Sequence, residues 1–156
     1  MNRRASNPER IYGGFIPSGE GNFESRYWEW VPTPQLWRYR EHGGDRDTDS
    51  EENVKRLMES LKKNGWQDVL ILKYYHGDKT ATLSEGNHRF EAAQRLNLAF
   101  VPVRVWRSER EGGAYKRKVR GWIREGHVPA DPLPSQIGLT GYSNAKLFEE
   151  FEFTSK

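Results

Sequence analysis

One stretch of the sequence constrains the fold more than any other: an amphipathic helix pattern that leads directly into an apolar strand pattern. Four apolar residues recur at i, i+3, i+4 and i+7, namely Val54, Leu57, Met58 and Leu61. This spacing predicts a helix with one buried stripe, which starts at the capping-box residue Thr48 and stops at Asn64-Gly65. The run 69–72 is entirely apolar and predicts a buried strand.

Three more strands complete the predicted sheet. Residues 27–31 form an alternating, aromatic-rich strand pattern. Residues 80–83 return from a turn at 76–78 as the second arm of a hairpin. Residues 101–105 form a further strand, which Pro102 marks as an edge strand or a strand entry. These elements predict an α/β (α+β) domain with a small mixed sheet flanked by helices.

Composition limits the class of protein. Hydrophobic residues make up 35% of the 156, and the mean hydropathy is −0.95. We therefore predict a folded domain over residues 27–107, an irregular N-terminal arm over 1–26, and an extension over 108–156 with a basic helix and a proline-rich stretch. The sequence has no cysteine, which excludes disulfides, zinc ribbons and thiol chemistry. No apolar run is long enough to cross a membrane and no signal sequence is apparent, so a cytoplasmic location is expected.

The residues with the clearest chemical potential lie between the third strand and the next helix. A strand that enters a glycine-containing loop and then a helix is the general arrangement for anion capture, because the first-turn N–H groups and the helix dipole both favour negative charge. Gly86 allows a close backbone approach or a positive φ. Arg89 offers a planar fork that matches phosphate oxygens, and His88 offers one hydrogen bond. This pattern predicts a phosphate site over residues 85–89.

The loop and its surroundings resemble a known superfamily. The sequence Gly86-Asn87-His88-Arg89 is followed by Glu91-Ala92-Ala93 and by Val101-Pro102-Val103. This order is similar to the ParB N-terminal domain, with its Gly-Glu-Arg-Arg helix start, and to sulfiredoxin, with its Gly-Cys-His-Arg loop. It also looks like the ParB-related free serine kinases. The resemblance covers residues 28–107 and implies a ParB/sulfiredoxin-like fold that binds a nucleoside triphosphate, ATP or CTP with Mg²⁺.

The resemblance assigns roles residue by residue. Gly86, Asn87, His88 and Arg89 match the loop that holds nucleotide phosphates. Asn87 stands where sulfiredoxin has its nucleophile, and with no cysteine in the sequence, sulfinic acid repair is excluded. Three residues on the preceding helix match positions that contact the base and ribose in sulfiredoxin-like domains: Asn53, Arg56 and Ser60. If the nucleotide is turned over, as in an ATPase, CTPase or small-molecule kinase, the candidate catalytic residues are Glu85, His88 and Arg89.

Other interpretations of the same residues stay open. Arg89 is also placed to pair with Glu85 or Glu91 at a simple helix start, and the face with Asn53, Arg56 and Ser60 is equally typical of a solvated helix. The extension carries five cations that suit a DNA backbone: Lys116, Arg117, Lys118, Arg120 and Arg124. They favour a DNA-binding or nuclease-type accessory protein as the alternative function. A second alternative is a non-catalytic module that binds a protein partner through its arms.

Three tryptophans near the start of the predicted domain have a simpler interpretation. Trp28, Trp30 and Trp37 are predicted to contribute to the core or to cover it.

Overall fold

The first structural layer is a four-stranded sheet. The computed structural model describes residues 27–40, 48–75, 79–108, 131–143 and 146–147, with only the backbone of 48–50. Its strands are β1 (Trp28–Pro32), β2 (Leu70–Tyr75), β3 (Thr80–Glu85) and β4 (Phe100–Ser108). They are ordered β1-β4-β2-β3. The β2–β4 pair is parallel and the other two pairs are antiparallel, so the sheet is mixed, as predicted.

The second layer consists of helices. The two α-helices are α1 (Thr48–Asn64) and α2 (Asn87–Arg95), and two 3-10 helices cover Thr33–Tyr39 and Pro134–Ile137. The predicted bounds of α1 are confirmed. Val54 and Leu61 are each 3% exposed, with Leu57 and Met58 packed beside them, because the i, i+3, i+4, i+7 stripe faces the core.

The helices cover one face of the sheet, here called the helix face. It carries side chains that alternate along the strands and are almost completely buried, including Leu70, Leu72, Leu83, Val103 and Val105. Phe90 and Ala93 of α2 are fully buried against this layer. The start of α2 is fixed relative to the sheet because Gly86 lies directly over Leu70.

The prediction of β4 as an edge strand was wrong. β4 lies between β1 and β2 and pairs with both. Pro102 is tolerated because the pairing with β2 begins only at Val103, so at Pro102 the strand faces β1 alone. The missing proline N–H therefore leaves no gap in the β2 ladder, and the interpretation of Pro102 as a strand entry describes this side of the strand correctly.

A C-terminal segment, residues 131–143, packs against β1. Trp30 and Tyr142 exchange two backbone hydrogen bonds of 2.8 and 2.9 Å on the outer edge of this strand. The buried carboxylate of Glu29 accepts hydrogen bonds from the Ser135 backbone N–H and hydroxyl, both at 2.9 Å. Gly141 lies so close to Glu29 that any side chain there would collide with the carboxylate. These contacts connect two parts of the chain that are distant in sequence.

The three tryptophans separate into two environments. Trp28 and Trp30 are buried and meet edge to face at 5.1 Å, so their prediction as core residues is confirmed. Trp37 is 49% exposed, so it is not a core residue. It lies on the 3-10 helix whose buried residues are Thr33, Leu36 and Tyr39, and the three-residue repeat of that helix turns Trp37 outward.

Several predictions fall on residues outside the described ranges. These are the N-terminal arm over 1–26, the turn at 76–78 and the basic helix with Lys116 to Arg124. Within the described residues, no helix is long and apolar enough to span a bilayer.

Candidate phosphate site at the start of α2

Gly86 connects β3 to α2 without a loop of its own. The sequence predicted that β3 would end at Leu83, but the strand continues to Glu85, and Asn87 is already helical. Gly86 has a φ of 103° and is the N-cap of α2. A Cβ atom at this position would lie 2.5 Å from Cδ2 of Leu70. The positive φ that the sequence suggested is therefore present, and the close approach at Gly86 is to the Leu70 side chain.

The side chains of the first turn are held in different ways. The Asn87 amide nitrogen donates to the Leu83 carbonyl at 2.9 Å and ties the helix back to β3. Arg89 donates from Nη1 to the Val69 carbonyl at 3.1 Å, across to the segment that precedes β2. His88 is half-buried and Glu85 is exposed. The turn thus has two anchored side chains and an exposed carboxylate on the strand side.

The alternative in which Arg89 pairs with Glu85 or Glu91 is not supported by the geometry of the described residues. Glu91 is bound by Arg40 at 2.9 Å and by Arg95 at 3.2 Å. Among the described residues, the partner of Arg89 is the Val69 carbonyl. A guanidinium has five N–H donors, and this hydrogen bond uses one of them.

Two contacts indicate that α1 and α2 run in opposite directions. This orientation decides which residues of α1 are nearest to the start of α2. Arg95, at the end of α2, binds Glu51, near the start of α1, at 2.9 Å. Arg89, at the start of α2, binds Val69, shortly after the end of α1. These two contacts indicate that the C-terminal end of α1 is nearer than its N-terminal end to the first turn of α2. Of the three predicted base and ribose contacts, Ser60 is nearest to that turn along α1.

Asn53 and Arg56, the other two predicted base and ribose contacts, lie further from the start of α2. Asn53 is seven positions before Ser60, which corresponds to about 10 Å along a helix axis. Arg56 is exposed, and its Nη1 donates to Oδ1 of Asn53 at 3.5 Å. Asn53, Arg56 and Ser60 therefore form a row that leads away from the start of α2 along α1.

Arg95, at the C-terminal end of α2, forms ion pairs with Glu51 and Glu91. Hydrogen bonds to Glu51 and then to Glu91 raise the pKa of the Arg95 guanidinium, which keeps it charged. The hydrogen bond from Arg95 lowers the pKa of the Glu51 carboxyl below its ordinary value of 4.5. A cation at this end also complements the negative end of the helix dipole. Within the described residues, no group of three or more His, Cys, Asp or Glu side chains is arranged to hold a metal ion.

A hollow that the sequence analysis did not identify lies at this same end of α2. It has a volume of about 670 Å³ and is bordered by Thr33, Pro34, Trp37, Gln94 and residues 97–99. Thr33 connects its two sides, because its hydroxyl donates to the Leu98 carbonyl at 2.7 Å. The sequence over 32–39 is dense in prolines and aromatic residues, but this composition does not predict a cavity.

The sheet, the covering helices and the glycine-initiated helix define an α/β domain with a candidate anion site at a helix start. Residues 39–115, about half of the chain, match the family model of the ParB N-terminal domain. Over these residues the chain is a ParB-like domain. The matched stretch includes α1, β2, β3, α2 and β4, and with them every residue of the candidate site.

Among solved structures, the chain is similar to the crystal structure of sulfiredoxin from Arabidopsis thaliana, with 23% identity and a TM-score of 0.36 over 55% of this chain and 85% of that chain. No curated protein matches the chain.

Proposed function

We propose that residues 85–89 bind the phosphates of a nucleoside triphosphate at the start of α2. The observation that carries this proposal is Gly86, which is the N-cap of α2 in a left-handed conformation. A glycine has no side-chain acceptor for the first-turn N–H groups, whereas Ser, Thr, Asp and Asn caps occupy them. Those N–H groups and the helix dipole attract an anion, and glycine accommodates the positive φ of this N-cap.

Arg89 adds a positioned cation to this site. Its Nη1 is held by the Val69 carbonyl, which limits the freedom of the long side chain. The remaining guanidinium donors suit phosphate oxygens, and less conformational entropy is lost on binding when the fork is already oriented. His88 directly precedes Arg89 and is half-buried, and it supplies a further donor in this proposal.

The base and ribose are proposed to lie along α1. Ser60 is nearest to the phosphates, with Arg56 and Asn53 successively further away on the same side of the helix. Hydroxyl, guanidinium and amide groups offer donors and acceptors to a ribose and a base. ATP and CTP are the proposed ligands, since the superfamily resemblance names no other class.

The proposal includes Mg²⁺ carried by the nucleotide. Mg²⁺ is usually bound through one or two carboxylates plus substrate phosphates, and it needs no cage made wholly of protein. Glu85 is exposed and directly precedes Gly86, so it fits this requirement. If the nucleotide is hydrolysed or its phosphoryl group transferred, Arg89 and His88 stabilise the developing charge, and Glu85 orients the attacking group.

A thermal-shift titration tests this function. ATP, CTP, GTP and UTP are each added with Mg²⁺ and with chelator, and the unfolding temperature is followed against concentration. Binding to the folded state stabilises it by RT ln(1 + [L]/Kd), about 2.7 kcal/mol at a hundredfold excess over Kd. We expect a concentration-dependent rise for ATP or CTP that is larger with Mg²⁺. A flat response to all four nucleotides in both conditions would overturn the proposal.

A further inference from the structure

The sheet has a second face, opposite the helix face, that is partly open to solvent. Here it is called the open face and is defined by Lys73, Tyr75, Thr82 and Trp106. Trp106 is 41% exposed, and the other three residues are half-buried. They alternate along their strands with the fully buried residues of the helix face, so the strand pleat itself directs them to the other side.

The strand register brings these residues together. Trp106 of β4 lies directly opposite Lys73 of β2 in the parallel pair. Lys73 in turn lies opposite Thr82 of β3. The row Trp106–Lys73–Thr82 therefore runs across three strands, at the usual spacing of about 4.8 Å between neighbours. Tyr75 is two positions along β2 from Lys73, which places a second aromatic ring beside this row.

Among the described residues, this face carries a net positive charge. β2 and β4 contain no acidic residue, and Glu85 lies at the far end of β3, opposite Ile71. Arg104, two positions before Trp106, is already compensated, because it lies 3.9 Å from Asp131 and stacks on the Tyr27 ring at 4.5 Å. Among the described residues, no carboxylate lies within ion-pair distance of Lys73.

We infer that the open face binds single-stranded nucleic acid. Exposed rings beside a cation on a sheet provide a stacking platform for bases and a contact for the phosphates between them. The occupant is single-stranded because the π-faces of bases are accessible only outside a duplex. A polyanion is favoured over an apolar peptide because the cation and the hydroxyl of Thr82 lie in the same row as the ring. This surface is separate from the start of α2, which lies on the helix face.

Fluorescence anisotropy with a labelled thymidine oligonucleotide tests the inference on the full chain. Trp106→Ala is expected to weaken binding roughly 5- to 150-fold, the range found when one stacking ring is removed. Trp106→Phe should recover most of that loss, because it retains a ring. Lys73→Ala should reduce the salt slope of log affinity by about 0.7, the value for one phosphate contact on a single strand.

Two matched controls make the result specific. Trp37→Ala removes an equally exposed tryptophan away from the open face, and Lys62→Ala removes an exposed lysine at the end of α1. Both are expected to bind the oligonucleotide like the parent chain. The inference is overturned if the single strand does not bind, if the thymidine–adenine duplex binds as tightly, or if Trp37→Ala weakens binding as much as Trp106→Ala. It is also overturned if only the substitution of Lys116, Arg120 and Arg124 changes the salt slope.

Discussion

The two ends of α2 are built in opposite ways. At the C-terminal end, Arg95 connects Glu51 of α1 to Glu91 of its own helix, and Asn97 then leaves the helix with a φ of 60°. At the N-terminal end, Gly86 provides the cap and has no side chain. The ion pairs that attach α2 to its neighbours are thus concentrated where the proposed site is not. This contrast indicates that contacts for stability and contacts for a ligand are separable in this helix.

The largest effect is expected from Gly86→Ala. The new Cβ would meet Cδ2 of Leu70 at 2.5 Å, and a non-glycine residue with a positive φ costs roughly 1–3 kcal/mol. We expect the free energy of unfolding in urea to fall by at least that amount, together with a loss of nucleotide affinity. Gly138→Ala is the matched control, because Gly138 has nearly the same φ of 105° away from α2. If both variants retained full nucleotide affinity, Gly86 would have only a structural role.

An intermediate effect is expected from Arg89→Ala. Removal of a charge-assisted hydrogen bond costs roughly 1.5–3 kcal/mol, so nucleotide affinity measured by calorimetry should fall at least about tenfold. Stability should fall by about 0.5–1.5 kcal/mol, because the bond to the Val69 carbonyl is also lost. Arg95→Ala removes the same side chain at the other end of α2 and should leave nucleotide affinity unchanged. Equal affinity losses in the two variants would contradict the separation of the two ends.

The smallest effect is expected from Glu51→Gln. The pKa of the Glu51 carboxyl is lowered by its hydrogen bond to Arg95, so the ionised form is the one that stabilises the fold. That contribution is complete above the ordinary value of 4.5 and is lost as the pH falls through the lowered pKa. The variant should melt slightly below the parent at neutral pH, and the gap should close under acidic conditions. Because the pair is exposed, added salt should also narrow the gap. A gap that is independent of pH and salt would show that the ion pair contributes nothing.

The sequence predicted those elements whose signals are local. The bounds of α1 follow from a hydrophobic period and an Asn-Gly stop, and both are found where predicted. β3 was predicted two residues too short, because Ser84 and Glu85 are exposed and carry no apolar signal. Its length is decided by backbone pairing with β2, where Ile71 faces Glu85 across an irregular register. The position of Gly86 in the sequence therefore suggested a loop, whereas the structure has a single connecting residue.

Long-range partners were beyond prediction from one sequence. The pairing of Arg40 with Glu91 and of Arg95 with Glu51 depends on how helices are arranged, and no spacing along the chain specifies it. The sequence also predicted a proline-rich stretch in the C-terminal extension, but could not predict that Pro134–Ile137 forms a 3-10 helix or that this segment packs against β1. That contact joins residues more than a hundred positions apart, including Glu29 and Ser135.

The contact between Trp30 and Tyr142 has a practical consequence for how the molecule can be divided. β1 and residues 131–143 both lie outside the stretch 39–115 that matches the family model. A fragment cut to the family boundaries would lose β1, and β4 would become an outer strand with unpaired backbone N–H and C=O groups. Such an edge is a template for pairing between molecules, so that fragment should self-associate. A preparation intended for ligand measurements should therefore retain the chain from β1 through Tyr142.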